Sequence, residues 1–213
     1  MVNKIEPLVV SAVEPMKIIL STKNPSKAEE IKAIFVGIPI LILTLAEAGI
    51  DGEAVEDGAT LEENAFKKAL FAHQIGVWAM ADDTGIFINA LNGAPGIKAA
   101  RWAGETATTE EITQHTLESL KGVTDRRAIF KTVVALVSPT GEQHFFSGEV
   151  QGKILEAPRT LPQPKMPYNP IFVPDGTDKV FAEMTAEEVN SISHRGKAFR
   201  QARAFLESFY SFS

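Results

Sequence analysis

The sequence predicts an α/β protein in which two lobes flank a groove, and three observations support this fold class. Strand-length apolar runs alternate with helical patterns in the first half of the chain, as where Lys17–Ser21 precedes Ser26–Phe35. A long hairpin is predicted farther on, from Arg127–Val137 to Gln143–Ile154. The 213 residues suffice for one sizeable domain or for two small lobes around a cleft. Interleaved strands and helices of this kind are typical of α/β proteins.

The other elements follow from apolar spacing and from capping and turn residues. Thr60 and Glu63 have the spacing of a capping box at the start of a helix. The segment Arg159–Pro170 holds four prolines and little apolar periodicity, so a long loop is predicted there. The predicted strands are Ile40–Leu45, Val77–Ala81 and Ile86–Asn89, and the predicted helices are Thr60–Gln74, Thr108–Leu120 and Ser193–Phe209, with a capped turn at Thr185–Glu188.

Composition excludes several classes of protein. With 21 basic and 27 acidic residues the net charge is −6, so no global basic field attracts a nucleic-acid polymer. The absence of cysteine excludes disulfides and thiolate metal sites and fits a reducing cytoplasm, which is the predicted compartment. No apolar run reaches the roughly 18 residues of a membrane span, so no membrane association is predicted.

Residues 1–15 are predicted to form an N-terminal extension that precedes a single domain, residues 16–213. The extension carries Glu6 and Glu14 and lacks the combination of a basic start with a long apolar run that marks a signal peptide. No internal repeat or low-complexity tract divides the rest of the chain. The two predicted lobes are therefore expected to belong to one domain.

A polar turn between the first strand and the first helix has the composition of a phosphate site. Thr22, Asn24 and Lys27 supply a hydroxyl, an amide and an ammonium beside the free backbone N–H groups of a helix start. The glycine spacing of a Walker A loop is missing. Taken alone, the segment also fits an ordinary strand–helix loop with exposed lysines.

Acidic residues stand at two positions that suit a divalent cation. Glu56 lies in an acidic loop before the second helix, and Asp82 and Asp83 stand side by side between two strand-like segments. Adjacent strand residues point to opposite sides, so one aspartate can face the groove while the other is held by structure. Mg²⁺ takes one or two carboxylates together with phosphate oxygens and water. Two alternatives without a metal stay open. The acids of the Glu56 loop can stabilise the N-terminus of the following helix, and the Asp pair can form a tight turn.

A basic segment opens the terminal helix. His194 and Arg195 offer donors at a helix N-terminus, where they can bind an anion or the edge of a nucleobase. A surface cap with solvated charges is the alternative reading. The other histidines lack the spacing of metal ligands, and no Ser-His-Asp arrangement is present. The candidates for chemistry are therefore the acids and bases of four segments: the polar turn, the acidic loop at Glu56, the Asp pair and the start of the terminal helix.

Five segments resemble, in order, those of the inosine/xanthosine triphosphate pyrophosphatases, which clear deaminated purine nucleotides. They are ILSTKNPSK, GATLEENAFKKA, ADDTGIFINALNGAPGIKAARWAG, YNPIF and SISHRGKA. The resemblance extends from about Lys17 to Leu206, and the third segment is the most specific. It implies a mixed α/β fold of two lobes around a central cleft, and a homodimer. It also implies Mg²⁺-dependent hydrolysis of a nucleoside triphosphate, such as ITP, dITP or XTP, to monophosphate and pyrophosphate.

The resemblance further implies roles for individual residues. Asp83 would be the general base and, with Glu56, a ligand of Mg²⁺, while Asp82 would support it. The residues implied to bind substrate are Thr22, Asn24 and Lys27 at the triphosphate, Thr84 beside Asp83, and Tyr168, Asn169, His194 and Arg195 on the nucleobase side.

The chain departs from the family pattern mainly on the nucleobase side. The family segment Phe-Gly-Tyr-Asp-Pro is Met166–Pro170 here, and Val189 stands where a lysine is usual. An Asn offers a donor and an acceptor where an Asp offers only acceptors, so a shifted base preference is predicted. The alternative is a nucleotide-binding protein of the same fold with changed base specificity or little turnover. An aspartate-nucleophile phosphatase would need a second acid at fixed spacing, which the DDTG segment lacks.

Overall fold

The computed structural model describes residues 14–74 and 76–209, and these contain seven strands and five α-helices. The strands are β1 (Met16–Leu20), β2 (Ile40–Thr44), β3 (Trp78–Ile88), β4 (Pro95–Gly96), β5 (Arg127–Val137), β6 (Gln143–Ile154) and β7 (Phe172–Pro174). The helices are α1 (Pro25–Ile34), α2 (Leu61–Ala72), α3 (Thr109–Ser119), α4 (Ala186–Ile192) and α5 (His194–Glu207). Interleaved strands and helices confirm the predicted α/β class.

One mixed sheet joins all the strands in the order β2-β1-β3-β5-β6-β7, with β4 paired to β3. The first three strands of this order are parallel, as expected where a helix connects successive strands. The pairs from β3 to β7 are antiparallel, and β5 and β6 form the predicted hairpin with its predicted bounds. The mixed sheet is the one that the family resemblance implies.

The prediction of two strand-like segments around the Asp pair is wrong in one respect. β3 runs without interruption through both acids, with Asp82 opposite Val134 and Asp83 opposite Val133 of β5. The reading of the pair as a tight turn is therefore wrong. Strand propensity depends strongly on context, and cationic partners compensate the burial of both carboxylates, as described below.

The alternation of side chains along β3 directs its residues to two different helical layers. Trp78 and Met80 pack with residues of α1 and α5, whereas Ala79 and Ala81 pack with residues of α2. β1 ends at Leu20, which pairs with Met80, so β3 continues beyond the end of its parallel neighbour. Side chains from both layers can therefore meet at the carboxyl end of β1, where open α/β sheets commonly bind ligands.

A third apolar cluster lies at the other end of the long strands. It includes Ile86, Ile88, Phe130 and Phe172, which pack against residues of α3. This cluster and the two that flank β1 correspond to the two predicted lobes, with β3 and β5 running through both.

Close packing of α5 on β6 sets the position of the terminal helix. A Cβ at Gly148 would collide with the carbonyl oxygen of His194, so only glycine permits this approach. Ser193 caps α5 by accepting from the Gly196 N–H at 3.0 Å, and the predicted terminal helix is thereby confirmed. The capped turn predicted at Thr185–Glu188 opens α4 and has a complete capping box.

The start of α2 differs in detail from the predicted capping box. Thr60 accepts from the Glu63 N–H as expected, but the Glu63 carboxylate accepts from the Ala59 N–H rather than from Thr60. Residues 1–13 of the predicted extension lie outside the described residues, so the domain boundary stays a prediction. Across the described ranges, no helix is both long and apolar enough to cross a membrane.

Candidate active site

A cleft of about 390 Å³ opens beyond the carboxyl end of β1. Its walls come from the β1–α1 loop, the loop before α2, the middle of β3, the segment 165–169 and the start of α5. All ten residues that the sequence singles out for the site line this one cleft: Thr22, Asn24, Lys27, Glu56, Asp83, Thr84, Tyr168, Asn169, His194 and Arg195. The structure thus brings them together, while the role of each stays a prediction.

The β1–α1 loop is ordered by its own side chains. Asn24 caps α1 by accepting from the Lys27 N–H at 3.4 Å, and the Thr22 hydroxyl accepts from the Asn24 N–H at 3.2 Å. Pro25 occupies the first turn, where a missing N–H costs nothing. The loop therefore presents a helix N-terminus to the cleft, which favours anions.

Asp82 is the most deeply buried charge in the cleft wall, with a relative exposure of 2%. Its Oδ1 lies 2.7 Å from Lys27 Nζ, and its Oδ2 lies 3.6 Å from Arg195 Nε. Burial alone would raise the pKa of Asp82, but the charges of Lys27 and Arg195 lower it to about 2. Arg195 also contacts Glu30 at 3.0 Å. Asp82 therefore links α1, β3 and α5 through a buried ionic network.

Asp83 belongs to a separate ionic group on the opposite side of β3. Lys68 Nζ donates to Asp83 Oδ1 at 2.6 Å and lies 3.5 Å from a Glu56 oxygen. Asn64 Nδ2 donates to the other Asp83 oxygen at 3.4 Å. Burial raises the pKa of the Asp83 carboxyl, although Lys68 acts against this shift. A buried carboxylate with a raised pKa is suited to accepting a proton.

Lys68 was not predicted from the sequence as a residue of the site. Its neighbour Lys67 pairs with Asp57 at 2.5 Å and does not line the cleft. Burial would lower the pKa of Lys68, but Asp83 and Glu56 raise it above its usual value. A signal was present, because Lys68 continues the buried face of Leu61, Ala65 and Ala72, where a lysine is unexpected without a partner.

Glu56 and Asp83 form the donor set best suited to a cation. Both carboxylates converge on the single ammonium of Lys68, so their oxygens can face one positive charge. No cluster of three or more His, Cys, Asp or Glu able to hold a metal occurs among the residues that the structure describes. A pair of carboxylates that leaves positions open for phosphate oxygens is the pattern typical of Mg²⁺.

The other end of the cleft is aromatic. The rings of His194 and Phe130 stack with centroids 4.5 Å apart at an interplanar angle of 6°. Tyr168 is buried against Phe130, and its hydroxyl donates to the Ala99 carbonyl at 2.8 Å. This hydroxyl is therefore engaged within the fold. The flat face of an apolar ring can pack at this end of the cleft, whereas the charged groups around β3 suit a polyanion.

His194 should make the stability of the fold depend on pH. Burial and the nearby Arg195 lower the pKa of His194 well below 6.5, so the folded protein keeps the ring neutral. The unfolded chain binds a proton as the pH falls below about 6.5, and stability should decrease by up to about 1.4 kcal/mol per unit. Urea unfolding of wild type and His194→Gln between pH 5 and 7 measures the difference.

The exposed His115 provides the control for this prediction. His115→Gln on the surface of α3 should keep the wild-type slope of unfolding free energy against pH, whereas His194→Gln should flatten it. Equal slopes in wild type and His194→Gln would contradict the neutral, buried state of the ring.

Comparison with known proteins identifies the family. Residues 18–205 match the model of the Ham1 family, which is most of the chain. This chain belongs to the Ham1 family. The match covers every segment that forms the cleft, and it confirms the family that the sequence motifs resemble.

Proteins from several other organisms are similar to this chain in sequence and in fold. A dITP/XTP pyrophosphatase of Thermoanaerobacter pseudethanolicus is 43% identical over 194 residues, which are 90% of this chain and 96% of the relative. One from Desulfotalea psychrophila is 42% identical over 188 residues, 88% of this chain and 83% of the relative. The Ham1 protein structure from Coxiella burnetii superposes with a TM-score of 0.80 at 35% identity, covering 91% of this chain and 99% of that one.

Several positions of this Ham1 chain that depart from the family pattern lie in or near the aromatic end of the cleft. Met166 and Pro167 line it, and Asn169 donates through Nδ2 to Gln163 Oε1 at 3.1 Å. Val189 is packed against the apolar cluster around Phe130, so position 189 brings no cation to the cleft. The departures at positions 166, 167 and 169 therefore lie together in one wall of the cleft.

Proposed function

We propose that this protein hydrolyses non-standard purine nucleoside triphosphates, such as ITP, dITP and XTP, to the nucleoside monophosphate and pyrophosphate, and so removes them from the nucleotide pool. The proposal rests on one observation: the start of α1, which suits a phosphate, and the carboxylates of Glu56 and Asp83 line the same cleft. The names of the relatives, dITP/XTP pyrophosphatases at about 40% identity, support the substrate class.

The triphosphate is expected at the charged end of the cleft. The positive end of the α1 dipole, with Lys27 and Thr22 beside it, suits the β- and γ-phosphates and the charge that develops on departing pyrophosphate. Two carboxylates, Glu56 and Asp83, would hold Mg²⁺ there. When bound, the ion supplies neutralisation of phosphate oxygens and polarisation of the α-phosphorus.

Asp83 is the general base of the proposed reaction. Its carboxylate takes one proton from water, the water oxygen bonds to the α-phosphorus, and the bond from that phosphorus to the bridging oxygen breaks. Lys68 and Asn64 hold the carboxylate by its two oxygens, which fixes the direction in which it accepts the proton.

The purine is expected against the aromatic wall at the opposite end of the cleft. An apolar wall is formed there by Phe130, which stacks on His194, and by Tyr168 and Met166. The flat face of a purine can pack against such a wall. The neutral His194 ring carries one donor and one acceptor, and Asn169 presents an amide. These groups can bind the edge of a base without placing a fixed charge beside it.

A second candidate is a nucleotide-binding protein of the same fold with changed base specificity or little turnover. The replacement of Phe and Asp of the family segment by Met166 and Asn169 favours it. The ionic group of Glu56, Lys68 and Asp83 favours catalysis, because binding alone does not require a carboxylate held against a lysine.

We further propose Mg²⁺ as the metal, a homodimer as the assembly and the cytoplasm as the compartment. Mg²⁺ is supported by the hard oxygen donors Glu56 and Asp83. The other two follow from the family resemblance and from the absence of cysteine. Light scattering on the purified protein measures the assembly, and a mass of about 46 kDa, twice 23.1 kDa, is expected.

A panel of triphosphates tests the proposed function. ITP, dITP, XTP, GTP and ATP are incubated with enzyme and Mg²⁺, and pyrophosphate and orthophosphate are measured separately. Pyrophosphate is expected from the 6-oxopurine substrates, with the non-standard bases preferred, and chelation of the metal should abolish it. Binding of every triphosphate without turnover would support the binding protein, and release of orthophosphate alone would exclude a pyrophosphatase.

A further inference from the structure

The segment before the aromatic wall contains a tight turn with a lysine in an unusual conformation. Met166 N–H donates to the Gln163 carbonyl at 3.0 Å, with Pro164 and Lys165 between them. Lys165 has φ of 60°, in the left-handed region, at the third position of the turn. Turns with proline second and a positive φ third favour glycine at that third position. A lysine there pays a conformational cost that glycine would avoid.

Contacts on both sides hold this turn in place. The Lys165 N–H donates to the Thr109 hydroxyl at the start of α3 at 3.3 Å. The Gln163 side chain accepts from Asn169 Nδ2 at 3.1 Å, which ties the turn to the cleft wall. An anchored, unfavourable backbone conformation beside a binding cleft is a reason to look for function in the side chain that it presents.

Lys165 differs from the other cations of the cleft because it lacks an acidic partner. Lys23 pairs with Glu53, Lys27 with Asp82, Lys68 with Asp83 and Arg195 with Glu30. Within 14–74 and 76–209, the Lys165 ammonium has neither an ion pair nor a hydrogen bond, yet the residue lines the cleft beside Met166 and Asn169. Its charge is therefore available to a ligand at the aromatic end.

The purines that this cleft is proposed to accept differ in charge. Hypoxanthine carries one oxo group and is neutral at neutral pH. Xanthine carries a second oxo group and loses a ring proton near neutral pH, so its base is partly an anion. An ammonium at the rim attracts the anionic base and does little for the neutral one.

We infer that Lys165 is a specificity-determining residue that favours xanthine over hypoxanthine nucleotides by placing an unpaired ammonium beside the base. This inference rests on the proposed function and adds the discrimination between two substrates of that function. Because the pair is partly exposed to solvent, the preference should amount to about threefold to fivefold, as for other exposed ion pairs. It should weaken in high salt, which screens such pairs.

Three variants at position 165 separate charge from backbone conformation. Lys165→Gly relieves the positive φ and removes the charge, Lys165→Gln removes the charge alone, and Lys165→Arg keeps it. The ratio of kcat/KM for XTP to that for ITP should fall about threefold to fivefold in the Gly and Gln variants and stay at the wild-type value in the Arg variant. The kcat/KM for ITP should change less than twofold in all three.

The pH profile adds a readout that a purely structural role of Lys165 would not change. In wild type, the XTP/ITP ratio should rise between pH 5 and 8 as the xanthine ring loses its proton, and this rise should be smaller in Lys165→Gly. Lys121→Gln, an exposed lysine after α3 outside the cleft, serves as the control and should match wild type.

Failure of this inference is distinguishable from failure of the proposed function. Wild-type turnover with an unchanged XTP/ITP ratio in Lys165→Gly and Lys165→Gln would overturn the role of Lys165 alone. If wild type releases no pyrophosphate from any triphosphate, the proposed function falls. Calorimetric binding of xanthosine and inosine monophosphates to wild type and Lys165→Gln then decides the inference, since equal affinity ratios would overturn it.

Discussion

Asp83→Asn is expected to lower kcat for pyrophosphate release by a factor between about 10² and 10⁴, the usual contribution of a general base. The amide cannot accept the proton of the attacking water at neutral pH, and it is a poorer ligand for a hard cation than a carboxylate. The change keeps the shape of the side chain and its position opposite Val133 on β3. Initial rates with saturating ITP and Mg²⁺ measure the effect.

A loss of activity must be separated from a loss of structure. Circular dichroism and thermal unfolding should show Asp83→Asn folded, because Lys68 keeps a carboxylate partner in Glu56, whose oxygen lies 3.5 Å from Lys68 Nζ. Asp175→Asn, which replaces an exposed aspartate outside the cleft, is the matched control and should keep full activity. Activity of Asp83→Asn within tenfold of wild type would contradict the proposed role of Asp83.

Asp82→Asn is expected to have the largest effect on the fold, lowering the free energy of unfolding by about 3 to 5 kcal/mol. Asp82 is the anion between Lys27 and Arg195, and its removal leaves two buried cations close together. An asparagine retains the volume but not the charge. Removing one partner of a buried ionic network is costly because the remaining charges stay desolvated.

Urea unfolding at pH 7 compares this buried network with a surface ion pair. Asp125→Asn breaks the exposed pair with Arg127, whose atoms are 2.7 Å apart, and should destabilise the fold far less than Asp82→Asn because solvent screens the pair. The double variant Asp82→Asn with Lys27→Met should recover part of the lost stability, since one unpaired cation is removed. If Asp82→Asn lowers the free energy of unfolding by less than about 1 kcal/mol, the predicted role of Asp82 is contradicted. Glu30 and solvent would then suffice as partners of Arg195 and Lys27.

Local patterns explain why some elements were predictable. The hairpin strands Arg127–Val137 and Gln143–Ile154 have their predicted bounds because β-branched runs and a Pro-Thr-Gly turn define a hairpin within a short stretch of chain. The continuity of β3 was not predictable in this way. Its acids resemble a turn locally, and only pairing with β5 and contacts with distant cations show that they belong to a strand.

The candidate site shows the same limit. The family resemblance names ten residues that all line the cleft, because the motifs carry their identity and order. It does not reveal which charges pair. Lys68 and Asp83 are 15 positions apart in sequence and meet only when α2 packs on β3. The free charge of Lys165 likewise emerges only after the partners of every other cation in the cleft are known.

The uninterrupted course of β3 has a consequence for insertions and deletions in this segment. Because its side chains alternate, one residue added between Met80 and Asp82 would move each carboxylate to the opposite side of the sheet. The acid now facing Lys27 and the one now facing Lys68 would both lose their partners, and no single substitution would restore them. The number of residues that precede the two acids in the strand is therefore as much a property of the site as the acids themselves.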